Sequence, residues 1–308
     1  MIRERRDEDD AAIAQIIREV APGWATSERG IRHRRLTTPE RARRRDWVWE
    51  EQGEAVAWSS ASLELGAELE DVADVNVMVR PAWRGHGVGA ALYEPAYAHA
   101  VELGPRRLLA SAPDEPSARH FAEKRGFRHT MTRRLSRLDP HDVDPSELSS
   151  LARAKEAEGF TVAPFTAFRD RPELVHAADA EASQDEPADE PLTNLPFDEW
   201  LRHWSSPDLS HEASFAAVHE GRPVAIAMLM VDVEGGRASN GFTGTMRAFR
   251  DRRLARLAKL ASIAWAAEHG IDSIVTENDE TNAPMLALNT SLGYRPFATW
   301  LSYVKDLR

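Results

Sequence analysis

The stretch VMVRPAWRGHGVGAAL (77–92) places three alternating glycines, Gly85, Gly87 and Gly89, where a helix is about to begin. Glycine costs a helix about 1 kcal/mol relative to alanine, so this placement needs a reason. A helix N-terminus leaves backbone N–H groups unpaired and carries a partial positive charge, which favours phosphate binding. Glycines also allow close approach of a ligand because no Cβ intervenes. The stretch is a candidate pyrophosphate cradle, and a tight strand-to-helix turn is the alternative.

The sequence does not match other common nucleotide-binding motifs or metal sites. A P-loop needs Gly-Lys-Ser/Thr, which is absent, and a Rossmann fingerprint lies in the first βαβ unit, whereas three predicted strands precede this loop. The chain has no cysteine, which excludes disulfides, thiolate nucleophiles and thiolate metal sites. The histidines show no metal-ligand spacing, so we expect no metal.

Composition bounds the class of protein. A length of 308 residues predicts two domains, and the net charge of -11 argues against a nucleic-acid partner. The start, MIRERRDEDD, lacks the apolar stretch of a secretory signal. The longest apolar run, PVAIAMLMV (223–231), is too short to span a membrane. We therefore expect a soluble cytoplasmic protein without membrane contact.

The chain repeats one pattern of elements. Residues 84–127 and 250–294 both begin with arginine and continue with an alanine-rich helix that ends at a glycine. Each then has a short β-like run, a second helix and a Gly-aromatic pair. Predicted hairpins precede both stretches, with turns at Gln52-Gly53 and Glu220-Gly221.

The pattern in each half therefore predicts the order of elements β-α-β-β-β-α-β-α-β. The expected domains are residues 1–140 and 160–308, joined by a polar linker over 141–159. An acidic, proline-bearing stretch at 181–191 is interpreted as a solvated loop inside the second half.

These motifs resemble the GNAT superfamily of acetyl-CoA-dependent N-acyltransferases. VRPAWRGHGVG (79–89) is similar to the family's acyl-CoA signature, and ARHFAEKRGF (118–127) to the motif that follows it. The second half resembles the family through TGTMRAFRDRRLA (243–255) and TENDETNAPMLALNTSLGY (276–294). The resemblance implies an α/β (α+β) fold of two tandem GNAT-like domains, each a mixed, mostly antiparallel sheet flanked by helices.

The resemblance also implies acetyl-CoA as cosubstrate, with no metal. Backbone N–H groups of the loop would hold the pyrophosphate: Arg84, Gly85, His86, Gly87, Val88 and Gly89. The preceding strand would splay from its neighbour, pair with the pantetheine arm and polarise the thioester carbonyl: Val77, Met78 and Val79. The corresponding cofactor-binding residues of the second half would be Arg250, Arg252, Leu254, Ala255 and Asn282.

The second-half loop departs from the pattern. In RDRRLA, Asp251 stands where the first half has Gly85, and Arg253 where it has Gly87. A Cβ there could crowd the pyrophosphate, or the extra arginine could add a phosphate contact; we expect weakened binding. The later motif is better matched in the second half, through Asn278 and Asn282. Which half is catalytic is left open.

The chain also departs from the family pattern at the residues that transfer protons. Many family members carry a tyrosine in the last helix to protonate the departing thiolate, but this chain has Ala122 and Asn289 there. Water is one substitute. A general base is also needed, because a protonated amine is not nucleophilic. Of the two fourth-strand carboxylates, Asp71 and Asp74, we prefer Asp74. The alternative is that both are solvated strand-edge charges.

The resulting hypothesis is an N-acetyltransferase that transfers acetyl from acetyl-CoA to the amine of a small molecule. The alternatives are a catalytically inactive acyl-CoA-binding or scaffold protein, and a protein N-acetyltransferase. In the family the acceptor pocket is built from variable loops and first-half helices, which implies residues 24–33 and 182–204 here. The expected assembly is a monomer or homodimer.

Overall fold

Two stretches of the chain fold with the same order of elements. The computed structural model describes residues 1–65, 71–188, 195–232 and 235–307. These form two compact units, one mainly of Met1–Arg134 with residues from 298 onward, the other mainly of Leu135–Pro187 with residues 195–297. The domain limits expected at residues 140 and 160 stay a prediction.

The first unit shows the predicted order with one added helix. Its elements, in chain order, are β1 (Ile2–Glu4), α1 (Asp10–Val20), α2 (Glu28–Thr37), β2 (Arg45–Glu51), β3 (Glu54–Leu63), β4 (Val72–Val79), α3 (Val88–Glu102), β5 (Arg107–Pro113), α4 (Pro116–Glu123) and β6 (Arg128–Leu138). The last strand, β6, continues along the chain into the second unit.

The second unit repeats the order after a helix that lies in the predicted linker. That helix is α5 (Pro145–Glu156). The elements that follow along the chain are β7 (Phe160–Pro164), α6 (Pro172–Ser183), α7 (Phe197–Trp204), β8 (Phe215–His219), β9 (Arg222–Asp232), β10 (Arg237–Thr245), α8 (Leu254–Glu268), β11 (Ser273–Asp279) and α9 (Ala283–Ser291). The strand that completes the order, β12 (Arg295–Asp306), belongs mainly to the first unit.

The two hairpin turns are confirmed. Gln52 and Gly53, between β2 and β3, have φ angles of 51° and 86°; Glu220 and Gly221, between β8 and β9, have 48° and 75°. Two consecutive residues at positive φ are typical of the two-residue turns whose twist matches that of paired strands.

The sheet of the first unit takes one interior strand from the end of the chain. Its strand order is β1-β2-β3-β4-β5-β12-β6. The pairing of β12 with β5 is antiparallel and runs from Trp300 opposite Pro113 to Asp306 opposite Arg107. The Arg107 guanidinium also donates to the Asp306 carboxylate at 2.8 Å. The chain's last strand is therefore an interior strand of its first unit.

The sheets are mixed and mostly antiparallel, so the predicted fold class is confirmed. In the second unit the order is β11-β10-β9-β8-β7. Within each unit one described pair is parallel, β4 with β5 and β10 with β11. The pairs β1–β2, β2–β3, β3–β4, β7–β8, β8–β9 and β9–β10 are antiparallel.

The helix after the glycine loop packs on one face of the first sheet. Val88, Leu92 and Ala96 of α3 share a buried cluster with alternate residues of β3 and β4. The helix runs through Pro95, which has no N–H to donate. Nearby, the Ser59 hydroxyl of β3 donates to the Leu92 carbonyl at 3.1 Å, so a strand side chain supports the helix backbone next to the proline.

Two further findings concern membranes and metals. Over the residues described, no helix is both long and apolar enough to cross a membrane. Over the same residues, no group of three or more histidine, aspartate and glutamate side chains is placed to hold a metal ion.

Candidate active site

A V-shaped gap opens between the two parallel strands of the first unit. The pairing of β4 with β5 covers Val72–Asp74 opposite Arg107–Leu109. Beyond it β4 continues to Val79, where its partner is β3. A cavity of about 380 Å³ fills the gap, lined by β4, β5, the start of α3 and one face of α4. Such a gap exposes strand amides and carbonyls to a ligand, since β5 does not pair with them.

The glycine loop closes one end of this cavity. Gly85 and Gly87 both have φ of 81°, the left-handed region, and a Cβ added at either would meet nothing within 4 Å. Gly87 is the N-cap of α3, and no side chain caps the helix. The first-turn amides of α3 therefore have no acceptor within the helix and no capping side chain. Open space and unpaired donors at a helix N-terminus suit an anion.

Gly89 differs from these two glycines and lies where α3 approaches β4 and α4. A Cβ at this residue would lie 3.4 Å from Val79 Cγ2 and 3.5 Å from Phe121 Cε2. Its φ is not in the left-handed region, and these distances are ordinary van der Waals contacts, so the backbone and the space allow a small side chain here. The matching residue of the second loop is Ala255, a similarly small side chain.

A carboxyl pair lies at the apex of the gap. Asp74 is the last β4 residue paired with β5 and is half-buried. Burial, and next a hydrogen bond with the Glu64 carboxyl, raise the pKa of Asp74 well above its ordinary value. Arg44 opposes this shift, but its guanidinium is engaged with Asp46 at 2.9 and 3.0 Å. Asp71, the other candidate base, forms an ion pair with Arg106 at 3.3 Å.

The second unit contains the same kind of gap. The pairing of β10 with β11 covers Arg237–Ser239 opposite Ser273–Val275, and β10 continues to Thr245 against β9. A cavity of about 820 Å³ lies there. Its lining includes all the predicted second-half residues: Arg250, Arg252, Leu254, Ala255 and Asn282.

The second loop keeps the backbone shape of the first without its glycines. Asp251 has φ of 62° and Arg253 of 60°, so both adopt the left-handed conformation that Gly85 and Gly87 adopt in the first unit. Arg253 is the N-cap of α8, and again no side chain caps the helix. The loop conformation is therefore retained, at a cost of about 1–2 kcal/mol for each non-glycine residue.

Comparison with known proteins decides the family. The model of the Acetyltransferase (GNAT) family matches this chain twice, over residues 12–127 and 173–294. The chain belongs to the GNAT acetyltransferase family. The two matches cover one GNAT repeat each, and both include the gap, the loop and the helix that follows it.

Curated relatives and solved structures agree with a tandem GNAT protein. A mycothiol acetyltransferase of Nocardioides sp. is 26% identical over 303 residues, covering 92% of each chain. One from Thermobifida fusca is 25% identical, covering 95% of this chain and 92% of the relative. A tandem GNAT protein from the clavulanic acid biosynthesis pathway superposes with a TM-score of 0.71 at 20% identity, over 99% of this chain and 98% of the other. At that identity the structural match shows the fold.

The predicted GNAT site residues of the first half divide into three groups. Seven line the cavity: Val77, Met78, Val79, Arg84, Gly85, Gly87 and Gly89. Val88 is buried in the core and His86 is exposed, and neither is among the lining residues. Asp74 is not a lining residue either; it lies at the apex. Their roles in binding and catalysis stay predictions.

The structure adds two tyrosines that the sequence motifs did not indicate. The hydroxyls of Tyr93 and Tyr303 are buried and have no hydrogen-bond partner among the described residues. Both side chains line the first cavity. Tyr93 belongs to α3, but Tyr303 belongs to β12, far along the chain, and no local signal connects it to the loop.

An aspartate contacts Arg250 of the second loop and Arg247 just before that loop. Asp185 accepts from the Arg247 guanidinium at 2.8 and 3.0 Å and from Arg250 at 2.5 Å. These hydrogen bonds hold the pKa of Asp185 well below its ordinary value. The stretch predicted as a solvated loop (181–191) overlaps the end of α6, and its Asp185 forms these ion pairs. Residues 189–191 of that stretch lie outside the described residues.

A buried lysine lies behind the second gap. Lys259 of α8 is 1% exposed, and its ammonium donates to the Asn240 side-chain oxygen at 3.0 Å. The Tyr294 hydroxyl donates to the same oxygen at 3.1 Å. Burial lowers the pKa of Lys259 to about 7. The helix starts read VGAALY and LARLAK, so Lys259 stands where the first unit has Tyr93.

Proposed function

We propose that this chain is an acetyl-CoA-dependent N-acetyltransferase and that its first unit carries out the transfer to the amine of a small molecule. The observation that carries the proposal is the first gap, which combines an anion-accepting loop at one end with a carboxyl pair at its apex. Acetyl-CoA would supply an activated acyl group as a thioester.

The loop and β4 would bind the cosubstrate. The first-turn amides of α3, at Val88 and Gly89, would donate to the pyrophosphate, as unpaired donors at a helix N-terminus do. The backbone of Val77 to Val79 would pair with the pantetheine amides as a neighbouring strand would. An amide of β4 would polarise the thioester carbonyl while negative charge develops on its oxygen.

Asp74 would act as the general base. An amine is protonated near neutral pH and must lose a proton to attack. A carboxyl with a raised pKa is a stronger base than an ordinary aspartate, which brings its proton affinity closer to the operating pH. The partner carboxyl of Glu64 would then share the proton that Asp74 accepts.

The acceptor would enter on the Asp74 side of the sheet. Successive residues of a strand face opposite sides, so Asp74 and Asn76 face away from the cluster that contains Ala73 and Val75. On that side the cavity lining includes Val20 and Trp300, and the Trp300 ring stacks on Trp24 at 5.5 Å. An acceptor with an apolar part fits this wall.

A small-molecule acceptor is favoured over a protein by the relatives. Both curated relatives carry the name mycothiol acetyltransferase, and mycothiol is a small molecule. The second unit is proposed to bind acetyl-CoA more weakly, because Asp185 already occupies Arg250, which lines its cavity.

Calorimetric titration with acetyl-CoA tests the proposal. Gly87→Glu introduces a side chain at positive φ and a negative charge beside the expected pyrophosphate, so we expect loss of the tighter site. The matched variant Arg253→Glu should leave that site intact. A tight site lost only in Arg253→Glu would place acetyl-CoA in the second unit, and no binding to the wild type would refute the enzyme proposal.

Acceptor class is tested by release of CoA. We expect a panel of small primary amines to stimulate release, and peptides with free N-termini and lysines to have little effect. Stimulation by the peptides alone would favour a protein N-acetyltransferase. Binding of acetyl-CoA without release by either group would favour a catalytically inactive acyl-CoA-binding protein.

A further inference from the structure

Two buried tyrosine hydroxyls without partners face one cavity in the first unit. Tyr303 is 1% exposed and Tyr93 is 6% exposed, and neither hydroxyl has a hydrogen-bond partner among the described residues. A buried hydroxyl without a partner is unfavourable, and most buried polar groups in folded proteins are satisfied. Two such groups lining the same cavity indicate that a polar atom of a ligand completes them.

Tyr303 lies at the apex of the gap. In the sheet it pairs with Ala110, the residue that follows Leu109, where the pairing of β5 with β4 ends. Its side chain belongs to the cluster that includes Val75 and Leu92, on the α3 side of the sheet. Asp74 is on the opposite side, since it alternates with Ala73 and Val75. The gap thus has a carboxyl pair on one side and the Tyr303 hydroxyl on the other.

We propose that Tyr303 is the proton donor to the departing CoA sulfur, and that the last strand of the chain supplies it to the first unit. This inference rests on the proposed function. It assigns the proton donor to a strand residue of this chain, since the helix positions hold Ala122 and Asn289.

The proposed acyl transfer forms one bond and breaks another. The amine nitrogen forms a bond to the acyl carbon, and the carbon–sulfur bond breaks with its electron pair left on sulfur. The proton of the Tyr303 hydroxyl moves to that sulfur and yields the CoA thiol and a tyrosinate, which regains a proton from solvent. The proton lost by the amine passes to the carboxyl pair of Asp74 and Glu64, and from there to solvent.

The surroundings of Tyr303 keep its hydroxyl protonated before the step. Burial is the main cause of a raised pKa of Tyr303; Glu123 of α4 and Asp114 also raise the pKa, while Arg119 of α4 lowers it. The ring of His129 on β6 lies 6.1 Å away, edge to face. A protonated phenol can donate a hydrogen bond to a thiolate, and such a bond to a charged acceptor is stronger than one between neutral groups.

The test measures the thiol of bound CoA and needs no acceptor. The ultraviolet absorbance of the thiolate is titrated against pH with CoA bound to the wild type, to Tyr303→Phe and to two control variants. If the Tyr303 hydroxyl donates to sulfur, the pKa of the bound thiol should be about one unit or more higher in Tyr303→Phe than in the wild type. Phenylalanine keeps the ring that packs in the core, so folding should be preserved.

Two other tyrosines of α3 serve as controls. Tyr93→Phe removes the second unpartnered hydroxyl of the cavity. Tyr97→Phe removes a hydroxyl that accepts from Lys305 at 3.1 Å and does not line the cavity. We expect a smaller change in thiol pKa for Tyr93→Phe and none for Tyr97→Phe. With an amine that the wild type acetylates, Tyr303→Phe should lower kcat and leave the KM for acetyl-CoA unchanged.

The outcomes separate this inference from the proposed function. An unchanged thiol pKa in Tyr303→Phe, with CoA still bound, overturns the inference and leaves the proposed function standing. A change in Tyr93→Phe alone also overturns it and assigns the donor to α3. Failure of the wild type to bind CoA overturns both.

Discussion

The two gaps share a backbone and differ in the side chains placed around it. Gly85 and Gly87 in the first loop and Asp251 and Arg253 in the second all adopt the same left-handed conformation. The strand before the loop and the helix after it therefore impose the same loop shape on both sets of residues. Glycine at these positions keeps space open and lowers strain, but the fold does not require it.

The apices differ in chemistry as well. Asp74, paired with Glu64, is the last β4 residue beside β5; in the second unit β10 has Ser239 in that register and Asn240 after it. The second unit thus has a hydroxyl and an amide where the first has a carboxylate, and neither of these groups accepts a proton at ordinary pH. This contrast supports the proposal that the first unit is catalytic.

The largest expected effect comes from making the first apex resemble the second. Asp74→Asn should lower kcat about 1000-fold, within the range for loss of a general base, and leave acetyl-CoA affinity unchanged. Because the pKa of Asp74 is raised, wild-type activity should fall as pH falls through that pKa. Both are measured by CoA release with an amine that the wild type acetylates.

Asp71→Asn is the matched control, since Asp71 is paired with Arg106 away from the apex. It should keep most of the activity. The raised pKa also means that Asp74 stabilises the fold least when ionised, so Asp74→Asn should raise the free energy of unfolding at neutral pH. Equal loss of activity in both variants would contradict the role of Asp74.

The second expected effect concerns the lysine that replaces Tyr93 in the second unit. The pKa of Lys259 is about 7 in the fold, against 10.5 for an ordinary lysine. Between these values the unfolded chain binds one more proton, so stability rises with pH. We expect the free energy of unfolding to rise by about 2–3 kcal/mol between pH 7 and pH 9, and Lys259→Met should abolish this rise.

Urea-induced unfolding at several pH values checks this prediction. Lys155→Met is the control, since Lys155 is also buried but its ammonium donates to Glu158 at 2.8 Å. That variant should retain the rise with pH. A rise that persists in Lys259→Met would show that another group titrates in this window.

A smaller effect is expected from freeing the arginines of the second loop. Asp185→Asn removes the charge that pairs with Arg247 and Arg250, so CoA should bind the second unit about fivefold more tightly at low salt. The difference should shrink as salt rises, because these groups are exposed. Calorimetry in the Gly87→Glu background isolates this site, and unchanged affinity would mean that the Asp185 ion pairs do not compete with the ligand.

The smallest effect is expected from exchanging the residue types at the N-caps of α3 and α8. Arg253→Gly should raise the free energy of unfolding by up to about 1 kcal/mol, because glycine relieves the left-handed strain. Gly87→Ala should lower it by about the same amount for the opposite reason. Urea-induced unfolding of both variants measures the change. Effects of the same sign would show that the two loops are not equivalent.

Local features were predicted well because short-range chemistry sets them. The turns at Gln52-Gly53 and Glu220-Gly221 follow from turn residues between alternating strands. The strand–loop–helix order around Arg84 and around Arg250 follows from periodicity and from glycine placement. The cavity then contains the predicted loop residues, since one continuous segment supplies them.

By itself, the sequence determined that the chain holds two copies of one unit, where each loop lies, and that Asp74 is on the strand that leads into the first loop. Only the tertiary structure decided that β12 enters the first sheet beside β5, that Tyr303 therefore lines the first cavity, and that Asp185 contacts the second loop. Strand pairing relies on backbone hydrogen bonds that most sequences can make, so residues as far apart as Arg107 and Asp306 leave no local mark of their contact.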